Sequence, residues 1–465
     1  MTRIEAAVAL EPRGLSEGVR HLILDFMQME EFARDPLVVT RADGVRFWDA
    51  HGKEYLDGLA GIYVVNVGYN NRRVIDAMKA QLDTLTFAPP LHATTPPAIE
   101  LARLLAAIAP GDLDTVKLLS GGSEANEAAL KLARQYHHQT GRPSKHKVLS
   151  LYGSYHGATQ GALGATGSKA RKTMFEPLGP GFVHVHPPYC YRCPFEKTYP
   201  ACGVLCARIV EDTIVAEGPE TVAALIVEPI VNTAGIVTPP PEYFPLLREI
   251  CDRHQVVLIF DEIITGFGRT GHLFGAETYH TVPDILCCGK GMSSGYAPLA
   301  AILVRDHIAA AFRGRVEDRR EFHHGHTYGG HPLAAAAGLA SIRELLDRRL
   351  PEHARKMGAR LKQMLAEALD PLGVVGDIRG HGLMIGVELA RDPATKARFD
   401  ERLGIGKRVG RAALRRGLLL RADVHWVALA PPLVVDEADL EAMVGILATS
   451  LKEVLETLPA AGAAS

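Results

Sequence analysis

Between residues 75 and 330, five short apolar runs alternate with stretches of helical character, and this alternation limits the fold more than any other feature. The runs cover residues 116–119, 147–151, 223–227, 256–260 and 300–304. Runs of this kind are typical of strands covered on both faces, as in a parallel sheet wrapped by helices. The sequence therefore predicts an α/β fold with a mostly parallel sheet in a large domain.

Outside this region the pattern predicts two further parts. Residues 46–57 alternate apolar and polar side chains around a His51-Gly52 turn, as a β-hairpin does. After Pro332, two helices, a strand at 382–389 and a final helix near 437–455 predict a smaller α+β domain. We therefore divide the chain into an N-terminal segment (1–74), a large domain (75–331) and a C-terminal small domain (332–465).

Composition restricts the partners. The 465 residues are 47% hydrophobic and 22% charged, with a net charge of -2, so neither nucleic acid nor an anionic membrane surface is favoured as a partner. A small neutral or zwitterionic substrate is easier to accommodate. Residues 1–30 lack the apolar core of a secretory signal, and no uncharged stretch approaches the ~20 residues that span a bilayer. We expect a cytoplasmic enzyme.

Lys290 stands between two glycines and follows the apolar run 285–288. An amine that condenses with an aldehyde needs close approach and a partly desolvated pocket that lowers its pKa. The glycine neighbours allow the close approach, and the apolar run before Lys290 favours a partly desolvated pocket. Without partner residues, however, the pattern favours a solvated lysine in a surface turn.

Residues 120–127 (SGGSEANE) follow a predicted strand and open a predicted helix. The free N–H groups at the helix start, with the Ser123 hydroxyl, would hold a phosphate. Taken alone, this segment favours the alternative, a helix that is merely capped. No GxGxxG motif follows a strand, and Lys290 lacks the pattern of a Walker A loop, so nucleotide binding is poorly supported.

Two other strands are followed by candidate ring-binding residues. Asp261 ends the run 256–260 at the edge where open α/β sheets bind ligands, and beside a protonated pyridine nitrogen it would keep the ring cationic. The alternative is a carboxylate that caps the next helix. Tyr155 offers a flat ring for stacking, with core packing as its alternative, and His156 is interpreted as a hydrogen-bonded structural histidine.

Together these residues describe a site for pyridoxal 5′-phosphate (PLP). The ordered motifs resemble the class-III (ω-) aminotransferase family of PLP-dependent, fold-type-I enzymes, over about residues 47–433. They are residues 120–127, 155–157 (YHG), 228–229 (EP), 261–271 (DEIITGFGRTG), 290–291 (KG) and 326–332 (HTYGGHP).

The resemblance implies a transferase that moves an amino group through a PLP Schiff base on Lys290, with active sites shared at a homodimer interface to which the N-terminal segment contributes. Pairs of dimers forming a tetramer are left open. The resemblance makes Lys290 and Asp261 catalytic. It implies a cofactor-binding set in which Tyr155 and Ile263 lie on the two faces of the PLP ring and Thr327 contacts the phosphate of the PLP bound in the other subunit. That set is Gly122, Ser123, Tyr155, Glu228, Asp261, Ile263, Lys290 and Thr327.

Four positions carry what the sequence says about substrate. Arg421 resembles a mobile arginine that clamps the carboxylate of the keto acid, with a solvated surface arginine as the alternative. Tyr63 stands where related enzymes place a pocket tryptophan, with core packing as its competitor. Thr233 stands where the ornithine branch has a glutamate that gates an arginine, and Ile264 stands where that branch commonly has a glutamine. We therefore expect an ω-amino acid or amine donor and pyruvate as the acceptor.

The cysteines offer a separate hypothesis. Cys190, Cys193, Cys202 and Cys206 have a spacing that could bind one structural zinc ion, but reduced thiols packed in a loop are the favoured interpretation. A catalytic metal is not expected, because the lysine and the cofactor account for the chemistry.

Two other functions stay open at this point. One is another PLP reaction on the same fold: a decarboxylating transaminase, an aminomutase or a phospho-lyase. The other is a non-catalytic, zinc-stabilised interaction protein.

Overall fold

A seven-stranded sheet forms the centre of the protein. The computed structural model describes residues 18–458, so the start of the predicted N-terminal segment and the end of the predicted C-terminal domain lie outside the described residues. The strands are β1 (Val39–Asp43), β2 (Arg46–Asp49), β3 (Glu54–Asp57), β4 (Thr115–Leu119), β5 (Lys147–Leu151), β6 (Phe182–Val185), β7 (Val222–Val227), β8 (Val257–Glu262), β9 (Ile285–Cys288), β10 (Ala300–Val304), β11 (Val375–Gly380), β12 (Ile385–Leu389), β13 (Leu418–Leu419), β14 (Arg421–Ala422) and β15 (Trp426–Leu429).

Helices surround this sheet and extend into the C-terminal region. The α-helices are α1 (Met29–Phe32), α2 (Ala60–Tyr63), α3 (Arg72–Thr84), α4 (Pro96–Ile108), α5 (Gly122–Gln139), α6 (Gln160–Ala165), α7 (Lys169–Lys172), α8 (Leu205–Glu217), α9 (Tyr243–His254), α10 (Gly275–Thr278), α11 (Asp306–Ala309), α12 (Pro332–Asp347), α13 (Leu350–Leu369), α14 (Ile405–Arg415) and α15 (Glu437–Glu456). Short 3-10 helices cover Val19–His21, Thr173–Phe175, Lys290–Met292, Ala310–Phe312, Val316–Asp318, Asp370–Leu372 and Glu401–Leu403.

The central sheet has the order β4-β10-β9-β8-β7-β5-β6. Strand β10 runs antiparallel to both of its neighbours, and the other adjacent pairs are parallel. All five apolar runs of the sequence lie in this sheet, which confirms the prediction of a mostly parallel sheet. All strands of this sheet except β10 leave their carboxyl ends at one edge, where ligands of such sheets bind.

Both faces of this sheet are covered, as the unbroken apolar runs require. Along β7, Leu225 belongs to the hydrophobic cluster on one face and Ile226 to the cluster on the other, and both side chains are fully buried. Helix α5 packs under β7, β9 and β10. Burying such side chains stabilises the fold by about 1.5–3 kcal/mol each.

Two four-stranded sheets complete the architecture. The predicted hairpin is confirmed, since β2 and β3 pair antiparallel, and β13 then adds in parallel to β3, so that Leu418 lies opposite Leu56. The other sheet has the order β11-β12-β15-β14. The N-terminal hairpin therefore shares a sheet with the C-terminal region.

Helix α12 begins with Pro332 in its first turn, where a missing N–H costs nothing, and packs against α3 and α4. It therefore contacts elements on the other side of the predicted boundary at 331/332. The division into domains at that boundary and at 74/75 stays a prediction.

Candidate active site

A cavity of about 150 Å³ lies at the carboxyl edge of the central sheet. The residues around it follow β4, β5, β7, β8 and β9, so the sheet brings together segments that are far apart in sequence. Seven of the eight predicted cofactor-binding residues line it, all except Thr327. The lining residues are Gly122, Ser123, Asn126, Tyr155, His156, Gly157, Glu228, Ile230, Asp261, Ile263, Ile264, Thr265 and Lys290.

One end of the cavity is the start of helix α5. Gly122 and Ser123 are its first two residues, and Gly121 before them carries no side chain that could cap the free N–H groups. The Ser123 hydroxyl accepts a hydrogen bond from Ala158 N at 3.1 Å and keeps its own proton for donation. A Cβ atom at Gly122 would lie 3.0 Å from Ile263, so glycine allows the close packing here. Such a helix start binds anions, phosphate above all.

Asp261 lies deeper and is almost fully buried, at 5% exposure. Its Oδ2 accepts hydrogen bonds from Asn126 Nδ2 at 2.7 Å and from His156 Nδ1 at 2.8 Å, and its Oδ1 accepts one from Ile263 N at 3.2 Å. Because a carboxylate only accepts, His156 carries its proton on Nδ1. Two carboxylate oxygens offer about four acceptor positions, so one remains for a proton-bearing ring nitrogen in the cavity.

Lys290 follows β9 directly and has a positive φ of 40°. A Cβ atom at Gly291 would lie 2.2 Å from Asn66 Nδ2, so only glycine fits beside the lysine. Asn66 is fixed in turn, because it donates to Phe267 O at 2.8 Å and accepts from Arg269 Nη2 at 2.6 Å. The turn that carries the amine is therefore rigidly held.

Burial lowers the pKa of Lys290, and the negative charges of Asp261 and Glu228 oppose that effect. A larger fraction of the amine is then neutral near pH 7 than for a solvated lysine, which makes it a better nucleophile.

Glu228 is buried beside the tyrosine of the YHG motif. It accepts hydrogen bonds from Tyr155 N at 3.0 Å and Asn232 N at 3.2 Å, and so fixes the backbone that carries the Tyr155 ring. Burial raises the pKa of Glu228 to about 7, although His156 and the two N–H donors act in the opposite direction.

Tyr63 and Arg421 do not line this cavity. The charges of Arg421 and of the cavity residue Glu228 both act on the Tyr63 hydroxyl, and we refer to Tyr63 and Arg421 together as the entrance. Tyr63 is 1% exposed, and its hydroxyl has no hydrogen-bond partner among the described residues. Burial raises the pKa of Tyr63, while the charge of Arg421 nearby lowers it. Arg421, in β14, is partly buried, and its Nε also has no partner among residues 18–458.

Two further predicted specificity positions are close to the cavity. Ile264 lines it, and Thr233 Oγ1 donates a hydrogen bond to Gly153 O in the loop before Tyr155. The hydroxyl proton of Thr233 is therefore used in a hydrogen bond within the protein.

Thr327 lies apart from the other predicted cofactor residues. It lines two surface depressions that share Phe87, Lys117 and Gly329. Within a single chain, the predicted set is therefore not brought together completely.

The four clustered cysteines line a small cavity formed by the loop before α8 and the first turn of that helix, and they carry free thiols. Burial raises the pKa of Cys206 to about 12, which keeps that thiol protonated. Among the residues that the structure describes, no group of three or more His, Cys, Asp or Glu side chains is arranged to hold a metal ion. The hypothesis of a structural zinc ion has no support.

Two contributions were missed from sequence. Asn126 and Arg269 touch the site through the hydrogen bonds to Asp261 and Asn66 given above. Asn126 lies one helical turn after Gly122, on the same face of α5, and that spacing was the available signal. For Arg269, which bonds to Leu383 O and Pro431 O far along the chain, the available signal was its place in the motif 261–271.

Comparison with known proteins decides the family. The sequence profile named "Aminotransferase class-III" matches residues 29–451. The chain is a class-III aminotransferase.

Similar proteins agree with this assignment. A probable aminotransferase of Mycobacterium tuberculosis is 42% identical over 93% of this chain and 93% of its own length. A putrescine–pyruvate aminotransferase of Pseudomonas aeruginosa is 35% identical over 90% of this chain and 91% of its own. Among solved structures, an (S)-enantioselective ω-transaminase from Thermomicrobium roseum superposes with a TM-score of 0.91 at 39% identity, covering 96% of this chain and 99% of that one.

Class-III aminotransferases use PLP, and an ω-transaminase from Pseudomonas jessenii that resembles this chain was solved with PMP (TM-score 0.91, 33% identity, 95% of this chain and 98% of that one). The residues of this aminotransferase fit the group. An uncapped helix start suits its phosphate, the remaining acceptor position on Asp261 suits its ring nitrogen, and the Lys290 amine suits its aldehyde.

The alternative of a non-catalytic, zinc-stabilised protein loses its basis, because both the family and the cofactor chemistry are those of an enzyme. Within residues 18–458, no helix of this aminotransferase is both long and apolar enough to cross a membrane.

Proposed function

We propose that this aminotransferase moves the amino group of an ω-amino acid or a simple amine to a keto acid, with pyruvate as the acceptor. The single observation that carries the proposal is the cavity that combines Lys290, Asp261 and the open start of α5. Amino-group transfer with an amine donor and a keto-acid acceptor is the reaction of the family; the choice of substrates is the proposed part.

The residues divide the chemistry among themselves. When bound, PLP supplies an electron sink that makes the C–H bond of the substrate acidic. Lys290 Nζ would hold the cofactor and, once a substrate amine has replaced it, would move a proton to and from the substrate carbon. Asp261, held by Asn126 and His156, would keep the ring nitrogen protonated.

The remaining cofactor roles also stand as proposals. Gly122 and Ser123 would bind the phosphate, Tyr155 and Ile263 would cover the ring faces, and Glu228 would orient Tyr155 through its backbone N–H.

The proposed substrates are supported by the polar groups of Arg421, Tyr63 and Thr233. Arg421 offers a guanidinium that fits a carboxylate in a bidentate manner, and the Tyr63 hydroxyl beside it has no partner among the described residues. Thr233, bonded to Gly153 O, cannot act as the acidic gate of the ornithine branch. The printed name of a similar Pseudomonas enzyme, a putrescine–pyruvate aminotransferase, is consistent with such substrates.

We further propose a homodimer with shared active sites. Thr327 lies on a surface where several large apolar side chains are exposed, and a patch of this kind is typical of a protein interface. These side chains are Phe87, Leu91, Ile99 and Tyr328. A second copy seated there would bring Thr327 to the phosphate of its partner. A cytoplasmic location remains a prediction from sequence.

A donor screen tests the proposed substrates. The holoenzyme is mixed with single donors (β-alanine, taurine, putrescine, butylamine and ornithine), and conversion of the bound cofactor to its amine form is followed by absorbance before pyruvate is added. We expect ω-amino acids and amines to react and ornithine to fail. Release of carbon dioxide together with amine-form cofactor would instead favour a decarboxylating transaminase, and release of phosphate from added phosphoethanolamine without amine-form cofactor would favour a phospho-lyase.

A further inference from the structure

Arg171 is a cation beside the active site to which sequence reasoning assigned no role. It lies in the short helix α7, after the loop that carries the YHG motif. Its Cζ atom is 3.7 Å from the centroid of the Phe26 ring and 5.8 Å from that of the Tyr155 ring. Since Tyr155 lines the cavity with Lys290, Arg171 lies one side chain away from the reacting groups.

Arg171 forms no direct ion pair within residues 18–458, although the more distant charge of Asp423 acts on it. The aromatic faces of Phe26 and Tyr155 compensate only part of the lost hydration. Burial lowers the pKa of this guanidinium, and the charge of Arg421 lowers it further, while Tyr155 and Asp423 oppose the change.

Arg421 is the second guanidinium whose charge acts in this region, since it acts to lower the pKa of both Arg171 and Tyr63. Arg421 has a buried Nε that makes no hydrogen bond in the described part of the chain. The Tyr63 hydroxyl near it is also buried and also makes no hydrogen bond there. Like charges in a partly desolvated place repel, and an anion between them would remove the repulsion and supply the missing acceptors.

We propose that Arg171 is a specificity-determining residue that binds, together with Arg421, the carboxylate of the keto-acid acceptor and of ω-amino acid donors. This inference rests on the proposed function for the identity of the substrates. It adds a second arginine to the carboxylate site and explains why neither guanidinium forms an ion pair within residues 18–458.

The test measures binding of propionate, which has a carboxylate but neither an amino nor a keto group, to the holoenzyme by calorimetry. Because charge-assisted hydrogen bonds are lost, we expect Arg171→Gln to weaken propionate binding by about 10-fold to 100-fold. Arg171→Lys, which keeps the charge, should recover part of the affinity. Lys169→Gln, which removes an exposed charge from the same helix, should change it less than about two-fold.

Half-reactions then separate the substrates. Arg171→Gln should weaken the apparent affinity for β-alanine as donor and for pyruvate as acceptor, yet leave the reaction of butylamine within about two-fold, because butylamine has no carboxylate. Phe26→Ala, which removes the ring but no charge, should leave propionate affinity largely intact.

Two results would overturn the inference: unchanged propionate binding in Arg171→Gln, or equal losses for butylamine and the carboxylate substrates, which would mean a structural role. If no amine reacts with the wild-type enzyme while Arg171→Gln still weakens propionate binding, the proposed substrates fail and the anion site stands.

Discussion

The Asp261 carboxylate on the floor of the active site and the polar groups at its entrance are satisfied in opposite ways, although Asn126 Oδ1 and His156 Nε2 beside Asp261 also lack partners among the described residues. On the floor, Asp261 accepts three hydrogen bonds from the protein. At the entrance, the Tyr63 hydroxyl and Arg421 Nε are buried without hydrogen-bond partners among the described residues. Arg171 nearby stacks on the Phe26 ring and forms no ion pair among those residues. Buried polar groups without partners are costly. The difference indicates a floor prepared for one permanent cofactor and an entrance whose contacts are completed by the substrate.

Lys290→Ala should produce the largest effect on the floor. Without the amine, we expect turnover to fall at least about 10³-fold, because both covalent attachment and proton transfer are lost. The melting temperature should change little in the cofactor-free protein. Lys169→Ala is the control, and near-normal turnover of Lys290→Ala would contradict the proposed role.

Asp261→Asn should reduce kcat by about 10²-fold to 10³-fold, since the charge that keeps the ring nitrogen protonated is lost. Asp284→Asn is a matched control, because Asp284 is also 5% exposed but holds Leu258 N at 2.8 Å outside the cavity. We expect the control to lower stability without a comparable loss of kcat. Equal losses of kcat would mean that burial of the carboxylate matters, not its place beside the cofactor.

Two buried glutamates, Glu228 in the cavity and Glu262 outside it, should make the free energy of unfolding depend on pH. Burial raises the pKa of Glu228 and of Glu262 to about 7 in the folded protein, from the ordinary 4.5. The folded state therefore binds more protons than the unfolded state between about pH 4.5 and 7, and each carboxyl lowers the free energy of unfolding as pH rises through this window. The full change is about 3 kcal/mol per group.

Glu228→Gln and Glu262→Gln should each flatten that pH dependence, which denaturant unfolding measures. Only Glu228→Gln should also move the acidic limb of the rate at which cofactor-free protein binds PLP to lower pH, because the Glu228 carboxylate raises the pKa of the free Lys290 amine. Glu262, bonded to Ala276 N at 2.8 Å, lies outside the cavity. The same shift of the limb in both variants would contradict this distinction.

Tyr63→Phe should have the smallest effect. Its hydroxyl has no partner in the described residues, so the free energy of unfolding should stay the same or rise by up to ~1 kcal/mol. If the hydroxyl meets the substrate carboxylate, KM for pyruvate should rise about 3-fold to 10-fold. Tyr243→Phe, which removes another unpartnered buried hydroxyl, should leave KM unchanged. An unchanged KM in Tyr63→Phe would remove this residue from the carboxylate site.

Sequence predicted the central sheet and the residues of the floor because each of these residues ends an apolar run or follows one within four residues. Lys290 follows β9 and Tyr155 follows β5, so local pattern and parallel topology together place them at one edge. The strand β6 went unnoticed, since its burial is only partial. Arg171 was not predictable, because its contact with Phe26 joins segments far apart in the chain and leaves no local pattern.

The most direct test of the central claim is to find which lysine carries the cofactor. The holoenzyme is reduced with borohydride, digested, and the cofactor-labelled peptide is identified by mass spectrometry. We predict a single labelled lysine, Lys290. Label on Lys145, another buried amine, whose pKa burial lowers to about 8, or no label at all would contradict the account.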